Sequence, residues 1–206
     1  DQGEADIILI NTCCFIGDAK EESVNTILEM AEEKKEGRCR ALIVTGCLAQ
    51  RYKEEILEEI PEVDAILGTT SWEEIGAVIR GICGGQESHV SCFHDLKELP
   101  ASEGRIVTTG GYYAFLKIAE GCDKRCTYCI IPYLRGPYRS VPMEDLLAEA
   151  RELARGGVRE LILVAQETTL YGVDLYGEKS LPRLLKELAK IPEIRWIRIQ
   201  YCYPEE

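Results

Sequence analysis

The fold of this chain is decided by one stretch, residues 113–129, which reads YAFLKIAEGCDKRCTYC. Its first residues form a short, mostly apolar run that is typical of a strand inside a protein. Three cysteines follow with the spacing C-x₃-C-x₂-C, so their thiols lie on a loop at the carboxyl end of that strand. The carboxyl ends of strands are where β/α barrels carry their active sites. The stretch therefore predicts a barrel-type β/α domain whose chemistry lies on the cysteine loop.

The spacing of Cys122, Cys126 and Cys129 allows the three thiolates to surround one polynuclear metal centre. A 4Fe–4S cluster usually takes four cysteine ligands, so a loop with three leaves one iron open to a small molecule. The two basic residues between the first two cysteines favour the thiolate forms and offset the negative charge of a cluster. The alternative is a structural zinc ion whose fourth ligand comes from elsewhere, from His89, His94 or Cys92.

Strand and helix signals alternate along residues 1–85. Mostly apolar runs, typical of buried strands, occur at residues 5–10, 41–44 and 63–67, and the first is expected to be a strand buried on both faces. Between them lie helical patterns, the first with a predicted capping box of Asp18 and Glu21 and a predicted end at Gly37. This alternation predicts βαβ units, in which a parallel sheet is covered by helices.

Glycine and proline interrupt the pattern at residues 86–112, which we interpret as a linker with a short hairpin. A second β/α series follows over residues 113–206, with three predicted strands and two predicted helices, the first helix beginning at Pro142. So few elements make an incomplete domain, and they predict the first portion of a β/α barrel. The predicted domains are therefore residues 1–85 and 113–206, joined by the linker.

Composition and charge exclude several classes of protein. The net charge is −12, and residues 1–85 carry 8 basic and 18 acidic side chains, which disfavours direct nucleic-acid binding by that half. No apolar run approaches the ~20 residues of a membrane span, and no signal peptide opens the chain. Ten cysteines without a secretion signal indicate metal or redox chemistry rather than disulfides. Because the chain begins with Asp1 and not Met, we expect a piece of a longer protein.

The motif Cys-x₃-Cys-x-aromatic-Cys after a first barrel strand resembles the radical S-adenosylmethionine (radical SAM) superfamily. Residues 130–140, IIPYLRGPYRS, narrow this resemblance to the methylthiotransferase family that includes MiaB, RimO and MtaB. Cys13 in Asn-Thr-Cys and Cys47 in Thr-Gly-Cys, each after a predicted strand, resemble that family's amino-terminal domain. Residues 165–174, AQETTLYGVD, resemble the RimO members, which act on a ribosomal-protein aspartate, rather than the MiaB-type tRNA enzymes.

The resemblance implies an α/β fold in which a flavodoxin-like parallel-sheet methylthiotransferase domain precedes the first part of a radical SAM β/α (partial TIM) barrel. It implies that Cys122, Cys126 and Cys129 hold a 4Fe–4S cluster that binds SAM. It also implies that Cys13 and Cys47 are two of three ligands of an auxiliary 4Fe–4S cluster that delivers sulfur. The third ligand is expected upstream of Cys13, in a segment that this chain does not contain; adjacent Cys14 is a poor substitute.

In such an enzyme a 5′-deoxyadenosyl radical takes hydrogen from the β-carbon of an aspartate in a small-subunit ribosomal protein, and a second SAM supplies the methyl group. Tyr128 is expected to lie against the adenine, Gln166 in the SAM pocket, and Arg135 with Arg139 at the SAM or substrate site. The implied partners are the ribosomal protein and an electron donor of flavodoxin or ferredoxin type, in the cytoplasm and without a membrane.

Two other functions stay open at this point. One is the same chemistry on a tRNA adenosine. The other is a non-catalytic module, either an iron–sulfur electron carrier or a zinc-stabilised binding domain. The remaining cysteines receive no role: Cys14, Cys39, Cys83, Cys92 and Cys202.

Overall fold

A computed structural model describes residues 2–85, 89–99 and 105–203. The chain divides into two compact units: unit 1 is Asp1–Ala101 with Thr127–Arg135, and unit 2 is Ser102–Cys126 with Gly136–Glu206. The segment Thr127–Arg135 belongs with unit 1 because the side chains of Ile130 and Leu134 pack into the hydrophobic core of that unit. The sequence had assigned this segment to the second domain. The predicted linker lies partly outside the described residues, at 86–88 and 100–104.

Unit 1 contains a four-stranded parallel sheet in the order β1-β2-β3-β4. Its strands are β1 (Ile7–Thr12), β2 (Ala41–Gly46), β3 (Ala65–Leu67) and β4 (Val90–Cys92). The connecting helices are α1 (Gly17–Glu36), α2 (Cys47–Tyr52), α3 (Glu54–Glu59) and α4 (Ile75–Cys83). The predicted βαβ alternation is confirmed. Strand β4 lies within the predicted linker, but it runs parallel to β3 rather than forming a hairpin with it.

Burial in unit 1 follows from the position of each strand in the sheet. All residues of β2 are buried, because β2 lies between two strands and apolar side chains cover both of its faces. The prediction that the first strand is buried on both faces is wrong. Among the described strands β1 is an edge, and Leu9 on it is 43% exposed.

Helix α1 begins differently from its prediction and ends as predicted. Its N-cap is Ile16, and no side chain caps it, so the capping box of Asp18 and Glu21 is not formed. Asp18 lies instead in the first turn, where the helix dipole still favours a carboxylate. Gly37 ends the helix, with its N–H donating to the carbonyl of Glu33 at 2.8 Å.

Unit 2 is built on three parallel strands in the order β5-β8-β9. A short antiparallel pair, β6 and β7, lies between β5 and β8 in the sequence. These strands are β5 (Tyr113–Lys117), β6 (Ala119–Glu120), β7 (Arg139–Ser140), β8 (Glu160–Val164) and β9 (Trp196–Ile199). Helix α5 (Ile131–Arg135) lies in the segment assigned to unit 1, and the helices of unit 2 are α6 (Met143–Arg155), α7 (Val173–Tyr176) and α8 (Leu181–Leu188).

The core of unit 2 confirms the predicted second β/α series. Leu116 of β5 and Leu163 of β8 are fully buried, as are Leu146 of α6 and Leu184 of α8. The pairing of β6 with β7 brings the chain back beside the end of β5, and the cysteine loop lies between these two short strands in sequence. In the described part of the chain, no helix combines the length and apolar character needed to cross a membrane.

Candidate metal centre

The backbone defines where the cysteine loop begins. Cys122 follows β6 after one glycine, and its N–H donates to the carbonyl of Gly136 at 3.2 Å. Gly121 has a φ of +79°, and a Cβ at this position would collide with the carbonyl oxygen of Pro137. Only glycine combines this conformation with so close an approach of two backbone segments. The position of the first thiol is therefore set by a glycine turn.

A buried carboxylate lies directly before this turn. Glu120 is 2% exposed and accepts hydrogen bonds from Lys117 Nζ, from the N–H of Gly121 at 3.2 Å and from Gln166 Nε2 at 3.1 Å. The bond to Glu120 orients the amide of Gln166, whose Oε1 is buried without a hydrogen-bond partner among the described residues. A buried acceptor left in this way fits a donor supplied by a bound molecule, such as the amino group of SAM.

The loop is also tied down through Lys124. Its Nζ lies 2.9 Å from Glu167 Oε2 and 3.6 Å from the centre of the Tyr203 ring. Burial by itself raises the pKa of Glu167, but hydrogen bonds from Thr169 and the charge of Lys124 outweigh it and hold that pKa below its usual range. Tyr138 completes this group, because its hydroxyl donates to the carbonyl of Glu167 at 2.8 Å.

The three loop cysteines have the donor chemistry of an iron–sulfur site. Each is partly exposed, and none of the ten cysteines, all within the described residues, forms a disulfide. Cys122 and Cys126 fall in unit 2, whereas Cys129 falls in the segment of unit 1, together with Tyr128, a residue that is 83% exposed. Within the described ranges, no three histidine, cysteine or carboxylate side chains are already arranged around a metal position. Three thiols within eight residues nonetheless fit the ligand set of a cluster.

Two further predicted ligands, Cys13 and Cys47, lie in unit 1, at the carboxyl edge of its sheet. Strands β1 and β2 run side by side with Thr12 opposite Gly46, so Cys13 and Cys47 are the next residues along each strand. The side chain of Cys13 is exposed and that of Cys47 is half-buried. The fold therefore brings together the backbones of two cysteines that are separated by 33 other residues of the chain.

Hydroxyl side chains hold the backbone at both of these thiols. Ser23 of α1 accepts a hydrogen bond from the N–H of Cys13 at 3.0 Å and donates to its carbonyl at 2.9 Å. Thr12 donates to the carbonyl of Thr45 at 2.5 Å and accepts from the N–H of Leu48 at 3.2 Å. These bonds join the end of β1 to α1, to β2 and to the first turn of α2.

Cys14 has a different environment from its neighbour. It is 2% exposed, it packs in the core of unit 1, and its Sγ donates to the carbonyl of Cys47 at 3.2 Å. Burial raises the pKa of its thiol, the negative charge of a Cys47 thiolate raises it further, and Arg51 opposes both effects. Cys14 is thus a core side chain rather than an outward-facing ligand, in agreement with its being a poor substitute for a third ligand.

Arg135 lies beside the same corner of unit 1. Its Nε donates to Cys47 Sγ at 3.3 Å, and both residues belong to unit 1. Its predicted contact with SAM or substrate stays a prediction, as does that of Arg139, which is buried in β7 and donates to the carbonyl of Pro137 at 2.6 Å. Sequence reasoning missed the contact with Cys47, because 87 residues separate the two positions.

Sequence reasoning also missed Glu120, Glu167 and Ser23. Only Glu120 carried a signal, because it is the last residue before the cysteine loop; the other two depend on tertiary contacts. The zinc alternative named His89, His94 and Cys92 as possible fourth ligands, and in unit 1 the distance from His94 Nε2 to Cys92 Sγ is 3.8 Å. The same nitrogen lies 3.6 Å from Glu74 Oε1.

Comparison with known proteins relates both parts of the chain to known families. Residues 1–68 match the uncharacterized protein family UPF0004, and residues 116–205 match the radical SAM superfamily. Over all of its length the chain is 67% identical to the ribosomal protein uS12 methylthiotransferase RimO of Lachnoclostridium phytofermentans and 52% identical to that of Acetivibrio thermocellus. It covers 47% of each relative, so it spans about half the length of the curated relatives it matches.

Solved structures show the same fold at low sequence identity. The radical S-adenosylmethionine methyltransferase TsrM of Kitasatospora setae, with tryptophan and a SAM analogue bound, has a TM-score of 0.57 at 11% identity, over 91% of this chain and 42% of that one. The form of TsrM with cobalamin and a [4Fe-4S] cluster bound has a TM-score of 0.56 at 11% identity, over 94% and 44%.

The fold and the cysteine loop are those of radical SAM proteins. Within that class, the chain is similar over all of its length to proteins named as methylthiotransferases, and it carries the UPF0004 and radical SAM matches in order.

Proposed function

We propose that the protein is a SAM-dependent radical methylthiotransferase that adds a methylthio group at the β-carbon of an aspartate in ribosomal protein uS12. The observation that carries this proposal is the 67% identity, over all of this chain, with a relative named for that activity. The placement of Cys13 and Cys47 at adjacent strand ends supports it, because sulfur insertion needs a second metal site besides the one that binds SAM.

In this proposal two sets of cysteine thiols each bind one iron–sulfur cluster. Cys122, Cys126 and Cys129 bind the 4Fe–4S cluster that holds SAM, and Cys13 and Cys47 bind the auxiliary 4Fe–4S cluster. When bound, these groups supply a carbon-centred radical that abstracts hydrogen, the inserted sulfur and, from a second SAM, the methyl group. Structural zinc is a poorer fit to the loop, since zinc needs no aromatic residue before the last cysteine.

The chain's own side chains bind and orient SAM. Glu120 holds the amide of Gln166 so that its unpartnered Oε1 is available to a donor on SAM. The exposed ring of Tyr128, between two of the cysteine ligands, is available to stack on the adenine. Lys124 contributes positive charge beside the loop while Glu167 holds it in place.

The substrate and partners follow from the same proposal. The 18 acidic and 8 basic side chains of residues 1–85 suit a basic protein substrate better than a phosphate backbone. The site of action is the cytoplasm, where ribosomes are assembled. An electron donor of the flavodoxin or ferredoxin type would supply the electrons for SAM cleavage.

Mass spectrometry of cells that lack the gene tests the substrate. We expect uS12 to be lighter by the difference between one methylthio group and the hydrogen that it replaces, and expression of the full-length gene to restore the mass. The variant Cys122→Ser should fail to restore it, whereas the matched control Cys202→Ser, at an exposed cysteine without a role, should succeed. Unmodified tRNA adenosine together with normally modified uS12 would establish the tRNA alternative and refute the proposal.

Anaerobic reconstitution of the full-length protein with iron and sulfide tests the metal. We expect a brown protein whose electron paramagnetic resonance (EPR) spectrum, after reduction, changes when SAM is added. A colourless protein that contains stoichiometric zinc would support the binding module instead. An iron–sulfur spectrum that is unchanged by SAM would support the electron carrier.

A further inference from the structure

We propose that Arg135 is a positioning residue of the auxiliary site, where its guanidinium binds the Cys47 sulfur and raises the reduction potential of the cluster that Cys47 helps to hold. This inference rests on the proposed function, since it requires an auxiliary cluster at Cys13 and Cys47. The contact that carries it is the 3.3 Å hydrogen bond from Arg135 Nε to Cys47 Sγ.

The backbone that carries Arg135 is held firmly in unit 1. Leu134, the preceding residue, is 4% exposed and packs in the same hydrophobic core as Cys14 and Leu48. Its carbonyl accepts a hydrogen bond of 2.8 Å from the hydroxyl of Thr69, which is itself buried. Since the end of α5 is held by packing and by a buried hydrogen bond, the Arg135 side chain starts from a defined position beside α2.

The hydrogen bond from Arg135 to Cys47 brings a positive charge into a strongly acidic part of the chain. Residues 1–85 carry 18 acidic side chains, so negative charge on a thiolate or on a reduced cluster is disfavoured there. Arg135 brings a positive charge to Cys47, and Arg51 does the same for Cys14. Hydrogen bonds to the sulfur ligands and positive charge near a cluster both stabilise its reduced form and so raise its potential.

The geometry also calls for arginine rather than lysine. The bond to Cys47 comes from Nε, inside the planar guanidinium, while the charge is spread over the whole group. A lysine at this position would keep the charge but lose the Nε donor. Glutamine removes the charge together with the Nε donor, whereas lysine keeps the charge but offers its donors from a different position.

The test is a redox titration of the auxiliary cluster alone. The full-length protein with Cys122, Cys126 and Cys129 all replaced by alanine is reconstituted anaerobically, and the cluster is titrated with dithionite under EPR detection. We expect Arg135→Gln to move the midpoint to a more negative potential and Arg135→Lys to move it less. The control Arg38→Gln removes the same charge from an exposed site that pairs with Asp6, and it should leave the potential unchanged.

The outcomes are distinguishable. An unchanged potential in Arg135→Gln, with the auxiliary cluster present, overturns this inference and leaves the proposed function intact. A reconstituted parent that holds no cluster contradicts the auxiliary site, and both proposals fail. Iron content and thermal unfolding are measured for each variant. If Arg135→Gln does not fold, Arg135→Lys takes its place, and an unshifted potential in that variant overturns the role of the hydrogen bond from Arg135 Nε to Cys47 Sγ.

A second arm examines the SAM contact expected from the sequence. In the Cys13→Ala/Cys47→Ala protein only the SAM-binding cluster remains. Arg135→Gln should leave the SAM-induced EPR change of this protein intact. Loss of that change, with the auxiliary potential unaltered, would place Arg135 at SAM and overturn the inference.

Discussion

Gln166 donates a hydrogen bond of 3.1 Å from its Nε2 to the buried carboxylate of Glu120, joining the residue before the cysteine loop to a residue just beyond β8. Glu120 also accepts from the N–H of Gly121, at the turn that leads to Cys122. One carboxylate therefore supports both the start of the loop and the amide that we assign to SAM.

Glu120→Gln should weaken both of these functions. The variant loses the charge that Lys117 pairs with, so we expect the free energy of unfolding to fall by about 1.5–3 kcal/mol and the affinity for SAM to fall about tenfold. Urea unfolding and SAM titration of the reconstituted full-length protein measure the two effects. The control Glu160→Gln removes a partly exposed ion pair with Arg198 and should cost less than about 1 kcal/mol. Equal losses in both variants would contradict a special role for Glu120.

Gly46→Ala should disturb the turn that positions Cys47. Gly46 has a φ of +93°, and a Cβ there would lie 2.5 Å from the Thr12 carbonyl oxygen and 2.6 Å from Asn11 Oδ1. We expect a loss of about 1–3 kcal/mol in the free energy of unfolding, together with a lower iron content. Gly17→Ala is the matched control, since a Cβ at Gly17 meets nothing within 4 Å; it should leave the iron content unchanged. A stable, fully loaded Gly46→Ala protein would disprove the requirement for glycine.

Replacement of adjacent cysteines should separate a ligand from a core side chain. Cys13→Ser is expected to lower the iron content of the reconstituted protein by about one cluster and to change stability little, because its side chain is exposed. Cys14→Ser is expected to keep the iron and to lower the free energy of unfolding by about 1–3 kcal/mol, because it places a hydroxyl in the hydrophobic core. Iron analysis and urea unfolding check both results. The reverse pattern would make Cys14 the ligand.

Glu167 should give the stability of unit 2 a dependence on pH. Its pKa is lowered in the folded protein, so its ionised form contributes stability above the unfolded carboxyl pKa of about 4.3, and this contribution is lost as pH falls through the folded value. We expect Glu167→Gln to be less stable than the parent at pH 7, and the difference to narrow as pH falls from about 5 towards 3. Urea unfolding of the metal-free protein across this range measures the difference. A difference that stays constant with pH would contradict the prediction.

The order of elements could largely be predicted from the sequence, and the exceptions have physical causes. Alternating apolar runs and helical patterns predicted the parallel sheets, because each pattern depends on residues close together in the chain. The exposure of Leu9 could not be predicted, since whether a strand is an edge depends on which strands lie beside it. The capping box failed because Asp18 fell inside the first turn of α1 rather than before it.

Some features of the candidate site could likewise be predicted from the sequence, whereas others depend on the tertiary structure. Sequence alone determined which three cysteines we propose as ligands on the loop, because the spacing of Cys122, Cys126 and Cys129 within eight residues limits how far apart their thiols can lie. Only the tertiary structure decided that Arg135 contacts Cys47, and that Cys14 faces the core while Cys13 faces outwards. Those relationships depend on strand register and on the packing of α5 into the core of unit 1, which join residues far apart in the chain and leave no local pattern.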